Sequence, residues 1–251
     1  MALKSLIYEN NPFEISYEIL HPTNTKDLII LHGWGSNKNL MKQAFGNYFL
    51  DFRHIYIDLP GFGASSLPNI ALTTQDYANI IEIFLNKLKA HKDLLMGHSF
   101  GGKVSILLAP QELILLSSAG IVPKKSFKVK SKILLTKILN KTFPFISQKF
   151  RTLLRSKDVQ NMPEMMYQTF KNVVNEDFSP LFANFPHKAH IFWGKEDTTT
   201  PLFCGETIAT LIKDSNFYAL RGDHFFFLQQ GEEIAKLYSQ KSILKDNYAN
   251  T

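Results

Sequence analysis

Short apolar runs that stop at glycine, alternating with stretches of helical spacing, constrain this chain most. Asp27-Leu28-Ile29-Ile30-Leu31-His32-Gly33, the run His54 to Leu59 before Pro60-Gly61, Asp93-Leu94-Leu95-Met96-Gly97 and Leu113 to Ser117 are each short, mostly apolar runs. A strand reads this way when both faces of its sheet are covered, which is the situation of a parallel sheet. Between the second and third runs, Tyr77, Ile80, Ile81, Phe84, Leu85 and Leu88 recur every three or four positions, so a helix spans Thr74 to Ala90, with threonine available to cap it. Lys103 to Ala109 supplies a shorter helix, and Glu14 to Leu20 alternates like an early strand. Strands joined by helices predict an α/β architecture with helices on both faces of the sheet.

The alternation stops after Ala119-Gly120 and resumes at His190-Ile191-Phe192-Trp193-Gly194 and Asn216 to Leu220, with a closing helix such as Glu232 to Tyr238. Residues 121–186 between them show helical periodicity and no strand, and the expectation is a helical cap (lid) inserted into a core made of residues 1–120 and 187–251. Of the 28 Lys and Arg residues, 11 fall within 121–160 against the single acid Asp158, so that stretch carries +10 in a chain of net +6 and the remainder sums to −4. Hydrophobic residues at 45% and charged residues at 20% suit a globular protein and exclude disorder. No apolar run reaches membrane-spanning length, and the start of the chain is too short in apolar residues for a signal peptide, so the expected location is cytoplasmic. A lone cysteine, Cys204, can neither close an internal disulfide nor build a thiolate metal site, and packing is its expected role.

Gly97-His98-Ser99-Phe100-Gly101 is a G-x-S-x-G placed after a strand and before a helix. The pattern alone arises by chance in roughly one chain in ten of this length, and its weight comes from that context. An abrupt strand-to-helix turn exposes the central serine at a helix N-terminus, where unpaired N–H groups favour developing negative charge. The competing reading is a helix-capping serine. A serine nucleophile needs a histidine base and an acid to orient it. Among eight histidines, His21, His54, His91, His187 and His190 are expected at solvated edges or turns, and His32 and His98 sit inside glycine turns. His224 follows the last strand, on the edge where parallel sheets gather their functional loops, and is the expected base. Asp197, with Glu196 as its neighbouring competitor, is the expected acid. Phe100 after the serine, and Trp34 within His32-Gly33-Trp34-Gly35, are the expected backbone donors of an oxyanion hole.

With these motifs, Asp58-Leu59-Pro60-Gly61-Phe62-Gly63 among them, the sequence resembles the α/β-hydrolase superfamily. The resemblance implies a mostly parallel eight-stranded sheet, a helical cap after the sixth strand, Ser99, Asp197 and His224 as nucleophile, acid and base, and no metal or cofactor. Two capped groups are similar: carboxylic ester hydrolases such as the pimeloyl-carrier methyl esterases, and carbon–carbon hydrolases of 2-hydroxy-6-oxo-dienoates (meta-cleavage products). The latter usually carry asparagine before the nucleophile and tryptophan after the base, where this chain has His98 and Phe225. The expected activity is therefore hydrolysis of a carboxylic ester or thioester through an acyl-enzyme. Phe225, Phe226 and Phe227, with Phe143 and Phe145, suggest an apolar acyl pocket, with ordinary core packing as the alternative. The basic cap suggests docking to an acidic carrier protein or an anionic membrane surface; nucleic acid is not expected.

Overall fold

The structure, a computed structural model, describes residues 1–122 and 162–248. Eight strands form one sheet: β1 (Ala2–Tyr8), β2 (Asn11–Leu20), β3 (Lys26–Leu31), β4 (Phe52–Ile57), β5 (Leu94–His98), β6 (Glu112–Leu116), β7 (Lys188–Gly194) and β8 (Ser215–Leu220). Their spatial order is β1-β2-β4-β3-β5-β6-β7-β8. β2 runs antiparallel to both β1 and β4, and the strands from β4 to β8 are mutually parallel. The described helices are α1 (Lys38–Phe45), α2 (Thr74–Leu88), α3 (Phe100–Leu107), α4 (Glu164–Val173), α5 (Ser179–Ala183), α6 (Leu202–Leu211) and α7 (Phe227–Tyr248).

The apolar runs divide their side chains between two cores with a period of two, as a pleated strand requires. Ile29, Leu31, Ile55, Ile57, Leu95, Leu113, Leu115, Ile191 and Trp193 face α2, α3 and α6. Leu28, Ile30, Tyr56, Leu94, Met96, Ile114, Leu116 and Phe192 face α1 and the start of α7. α2 begins with a capping box in which Thr73 and Asp76 satisfy each other's backbone N–H groups, and ends at Lys89 in the left-handed region. Three elements outside the sequence reading complete this body: β1, exposed at most positions, α1, capped by Asn37, and α6.

A buried ion pair fixes the turn after β4. Asp58 accepts from Lys38 Nζ at 2.5 Å and from the Lys38 and Ala64 N–H groups at 2.7 and 3.0 Å, with Ser16 taking a further Lys38 proton. Removing one partner from such a buried pair costs about 3–5 kcal/mol because the other charge is left uncompensated, so the Asp58–Gly63 motif is held by its own charge network.

Of the expected cap, residues 123–161 lie outside the described residues, and with them most of the basic stretch and both Phe143 and Phe145. The described remainder joins the main core: Val173, Phe178, Phe182 and Phe185 pack with the α2 and α3 residues. Lys103, buried on α3, donates to the Val173 carbonyl and to Glu176, each at 2.6 Å, and Glu176 also accepts from Thr74 Oγ1. The closing helix starts at Phe227, five residues before the expected Glu232, with Phe226 and Phe227 both in the core and Phe227 stacked on Phe45. Among the described residues no helix is long and apolar enough to cross a membrane.

Candidate active site

Between β3 and β5 the chain reverses its direction of travel across the sheet, since β4 lies to one side and β6 to the other. Loops leaving the carboxyl ends of β3 and β5 therefore diverge and open a crevice. Ser99 sits there, between β5 and α3, with φ 50° and ψ −114°. For a residue with a Cβ this backbone is strained by about 1–3 kcal/mol, held here by Ser99 N–H donating to the Leu116 carbonyl and by its own carbonyl accepting from Gly102 and Ala119. The Ser99 side chain makes no capping bond to α3. The helix-capping reading of this serine is thus not what the structure adopts.

Two glycines make the turn possible by letting backbone approach backbone. A Cβ on Gly101 would lie 2.5 Å from the Leu31 carbonyl oxygen, and one on Gly33 would lie 2.8 Å from His98 Nδ1 and 3.1 Å from the Ser99 Cβ. The β3 loop thus lies directly against the serine. Next to Gly33, the Trp34 N–H makes no backbone hydrogen bond among the described residues, and the Phe100 N–H, first of its helix, has no intrahelical acceptor. His32 anchors this loop: its Nε2 accepts from the Leu59 N–H at 3.0 Å while Nδ1 lies 2.7 Å from the Gly33 carbonyl. Burial holds the His32 imidazole down at about 4, against the opposing pull of its Gly33 bond and Asp58. The Trp34 ring packs against Phe62, Phe100 and Phe170, with centroids 4.9, 5.5 and 5.5 Å away. Phe62, within the Asp58–Gly63 motif, is therefore a wall of the loop carrying Trp34.

Asp197, after β7, and His224, after β8, meet at 2.8 Å between Oδ2 and Nδ1. The carboxylate is buried, and its Oδ1 accepts the Thr199 and Thr200 N–H groups at 2.8 and 2.9 Å. Burial pushes its pKa upward, but the His224 bond, the Thr200 N–H and the His224 charge more than offset this and leave it at about 2. Glu196, the competing acid, accepts instead from the Gly222 N–H and stabilises the turn ahead of His224. On the serine side, the His98 ring lies 4.7 Å from the His224 ring, so all three loops converge at one edge of the sheet.

Thr200 was not legible as a site residue. Its hydroxyl lies 2.8 Å from Asp197 Oδ2, 3.2 Å from His224 Nδ1 and 3.1 Å from the Ser117 carbonyl. The signal was present in the run Thr198-Thr199-Thr200 after Asp197, since a hydroxyl three residues beyond an acid folds back readily onto it. Because Asp197 keeps three other donors, Thr200→Val is expected to lower kcat/KM only about fivefold, equivalent to about 1 kcal/mol. Steady-state ester kinetics check this, and an unchanged value would show that the hydroxyl contributes nothing to holding the pair.

Two histidines expected at solvated positions are buried: His54, bonded to Phe49 and Tyr56, and His190, paired with Glu112 at 2.8 Å. Cys204 is buried and its thiol is pushed up to about 11 by burial. Phe225 remains 42% exposed beside His224, whereas Phe226 and Phe227 are core. Among the described residues no group of three or more His, Cys, Asp or Glu side chains could hold a metal ion.

A strained serine at the switch point of such a sheet, with an aspartate–histidine pair on the last two strand ends, defines a class of α/β protein built around that edge. Residues 27–247 match the family described as alpha/beta hydrolase fold, and the chain belongs to that family. A thermophilic esterase from Thermogutta terrifontis superposes with a TM-score of 0.70 at 18% identity, covering 98% of this chain and 99% of that one. A 2-succinyl-6-hydroxy-2,4-cyclohexadiene-1-carboxylate synthase from Klebsiella pneumoniae is 33% identical over 34% of this chain and 32% of its own length. A pimeloyl-[acyl-carrier protein] methyl ester esterase from Vibrio campbellii is 34% identical over 39% of this chain and 38% of its own length. The chain spans about a third of the length of the curated relatives it matches.

Proposed function

We propose that the protein is a serine hydrolase of carboxylic esters or thioesters, with Ser99 as nucleophile, His224 as general base and acid, and Asp197 as the carboxylate that orients it. The observation that carries the reading is the His224–Asp197 bond beside a serine that is strained at a helix head yet does not cap that helix. In this mechanism His224 takes the Ser99 proton as the hydroxyl attacks the carbonyl carbon. Asp197 keeps the other ring nitrogen protonated and stabilises the imidazolium. The Trp34 and Phe100 N–H groups receive the oxyanion, each such donor typically supplying about 3–4 kcal/mol. Collapse of the tetrahedral intermediate expels the alcohol or thiol, which takes its proton from His224. Water, deprotonated by the same imidazole, then attacks the acyl carbon and frees Ser99.

A carrier-borne acyl group is the substrate form favoured by the +10 charge of residues 121–160, whose field draws an acidic partner, and by similarity to the pimeloyl-carrier esterase. The test is a panel of a short p-nitrophenyl ester, a methyl ester, a thioester, a dienoate and a carrier-bound acyl ester, assayed alongside labelling by a fluorophosphonate. Labelling together with ester or thioester turnover is the expected result. Turnover of the dienoate alone would replace it with carbon–carbon bond hydrolysis. Preference for the carrier-bound ester that fades with added salt would identify the acidic carrier, and the same salt-dependent gain on anionic vesicles would identify a membrane surface.

A further inference from the structure

His98, one residue ahead of Ser99, is buried, and its ring is enclosed by His224, Phe227 and Phe225 at centroid distances of 4.7, 4.7 and 5.4 Å. Its Nε2 lies 3.0 Å from the backbone carbonyl oxygen of His224. A carbonyl only accepts, so this nitrogen carries the proton and donates it. The other nitrogen, Nδ1, is buried with no hydrogen-bond partner and faces Gly33 so closely that a Cβ there would come within 2.8 Å. One side chain thus touches the residue of the base and the loop of the oxyanion donors, and is covalently next to the nucleophile. Burial, then the neighbouring His224, holds its imidazole down at about 3; the charged or titratable groups around it are His224, Asp197 and His32. It is therefore neutral above that value, with its proton on the side facing the carbonyl.

We propose that His98 is a positioning residue: its Nε2–H, held on the His224 carbonyl, sets the distance between the His224 imidazole and the Ser99 hydroxyl. The side chain of His224 is tied at Nδ1 to Asp197, but that bond alone lets the ring pivot with its backbone. The His98 bond ties that backbone to the end of β5, from which Ser99 projects, so base and nucleophile share one frame. Leaving Nδ1 bare has a cost in desolvation, and it lets the β3 loop close against the ring without a competing partner.

This inference rests on the proposed triad, and the experiment separates the two. His98→Gln keeps an N–H donor able to reach the carbonyl, His98→Asn is one methylene too short, and His98→Met fills similar volume with no donor. Activity is scaled to the folded fraction from thermal melts and measured on a p-nitrophenyl ester and on a methyl ester, whose poor leaving group needs proton delivery from His224. Misplacing a reacting group by about 1 Å can cost about 100-fold. The expected result is that Asn and Met lower kcat by about 10–100-fold with KM within about twofold, more severely on the methyl ester, while Gln retains activity within about fivefold. If Gln loses as much as Asn, or if both esters fall in equal proportion, the role is structural packing and the proposal is overturned. Should Met not fold, the Gln and Asn pair still decides. Full activity of a Ser99 variant would instead overturn the triad, whereas a dead Ser99 variant beside a flat His98 series would overturn only the positioning role.

Discussion

Ser99→Ala is expected to lower ester hydrolysis by about four to six orders of magnitude and to abolish fluorophosphonate labelling, while leaving the melting temperature nearly unchanged. Removal of a triad nucleophile leaves only the contribution of oxyanion donors and substrate binding, about 10³–10⁴ over water. The melting temperature should hold because the Ser99 hydroxyl caps nothing: α3 takes no bond from it. The bonds that hold the strained turn are made by backbone groups, Ser99 N–H to Leu116 and Ser99 carbonyl from Gly102 and Ala119, and alanine keeps all of them. Loss of activity without loss of stability is therefore a chemical effect of one oxygen atom. Retention of more than a few per cent of wild-type turnover by correctly folded Ser99→Ala would remove the serine from the mechanism.

Asp197→Asn carries the second largest expected effect, a fall in kcat of about 10⁴, and the surrounding donors dictate how. Thr199 and Thr200 present two N–H groups to Oδ1, so the amide oxygen of asparagine takes that position and its NH2 turns toward His224. Nδ1 then accepts rather than donates, the ring proton moves to Nε2, and the imidazole has no lone pair for the serine proton. The substitution also removes a pH-dependent part of stability. The Asp197 carboxyl sits at about 2 in the folded protein against an ordinary 3.8, a depressed value, so its contribution of about 2 kcal/mol is present above the ordinary pKa and lost as pH falls from about 4 toward 2. Acid denaturation should accordingly begin at higher pH in Asp197→Asn and follow a shallower slope through that window. Coincident acid-unfolding curves for the two proteins would show that the carboxylate is not preferentially ionised in the fold.

The residues that sequence reading singled out are those whose chemistry leaves a local trace. Ser99 is marked by glycines whose Cβ atoms would strike backbone, and Gly101 against Leu31 shows why the pattern is needed. Asp197 and His224 were legible from their position just past apolar runs. The preference for Asp197 over Glu196 had little local support, because adjacent residues share a loop and only its final path sends one carboxylate to His224 and the other to Gly222. Burial of His54 and His190 was hidden for a similar reason. A histidine in a strand reads as polar until a partner such as the Phe49 carbonyl, in the turn ahead of its own strand, or Glu112, on the neighbouring strand, is folded against it. β1 went unread because its side chains are mostly exposed and lack the apolar run that marks the inner strands.

What the sequence by itself determined was the alternation of buried strands and helices, and with it a parallel sheet whose loops must carry the chemistry at one edge. Hydrophobic periodicity and glycine steric demands act over a few residues, so they are written locally. Tertiary structure alone decided that Thr200 closes the Asp197–His224 pair, that Phe226 and Phe227 belong to the core, and that His98, at the strand end before Ser99, is tied to the His224 backbone. Those contacts join residues up to 126 positions apart, and a hydrogen bond across that span exists only after the whole sheet has set the distance between its strand ends.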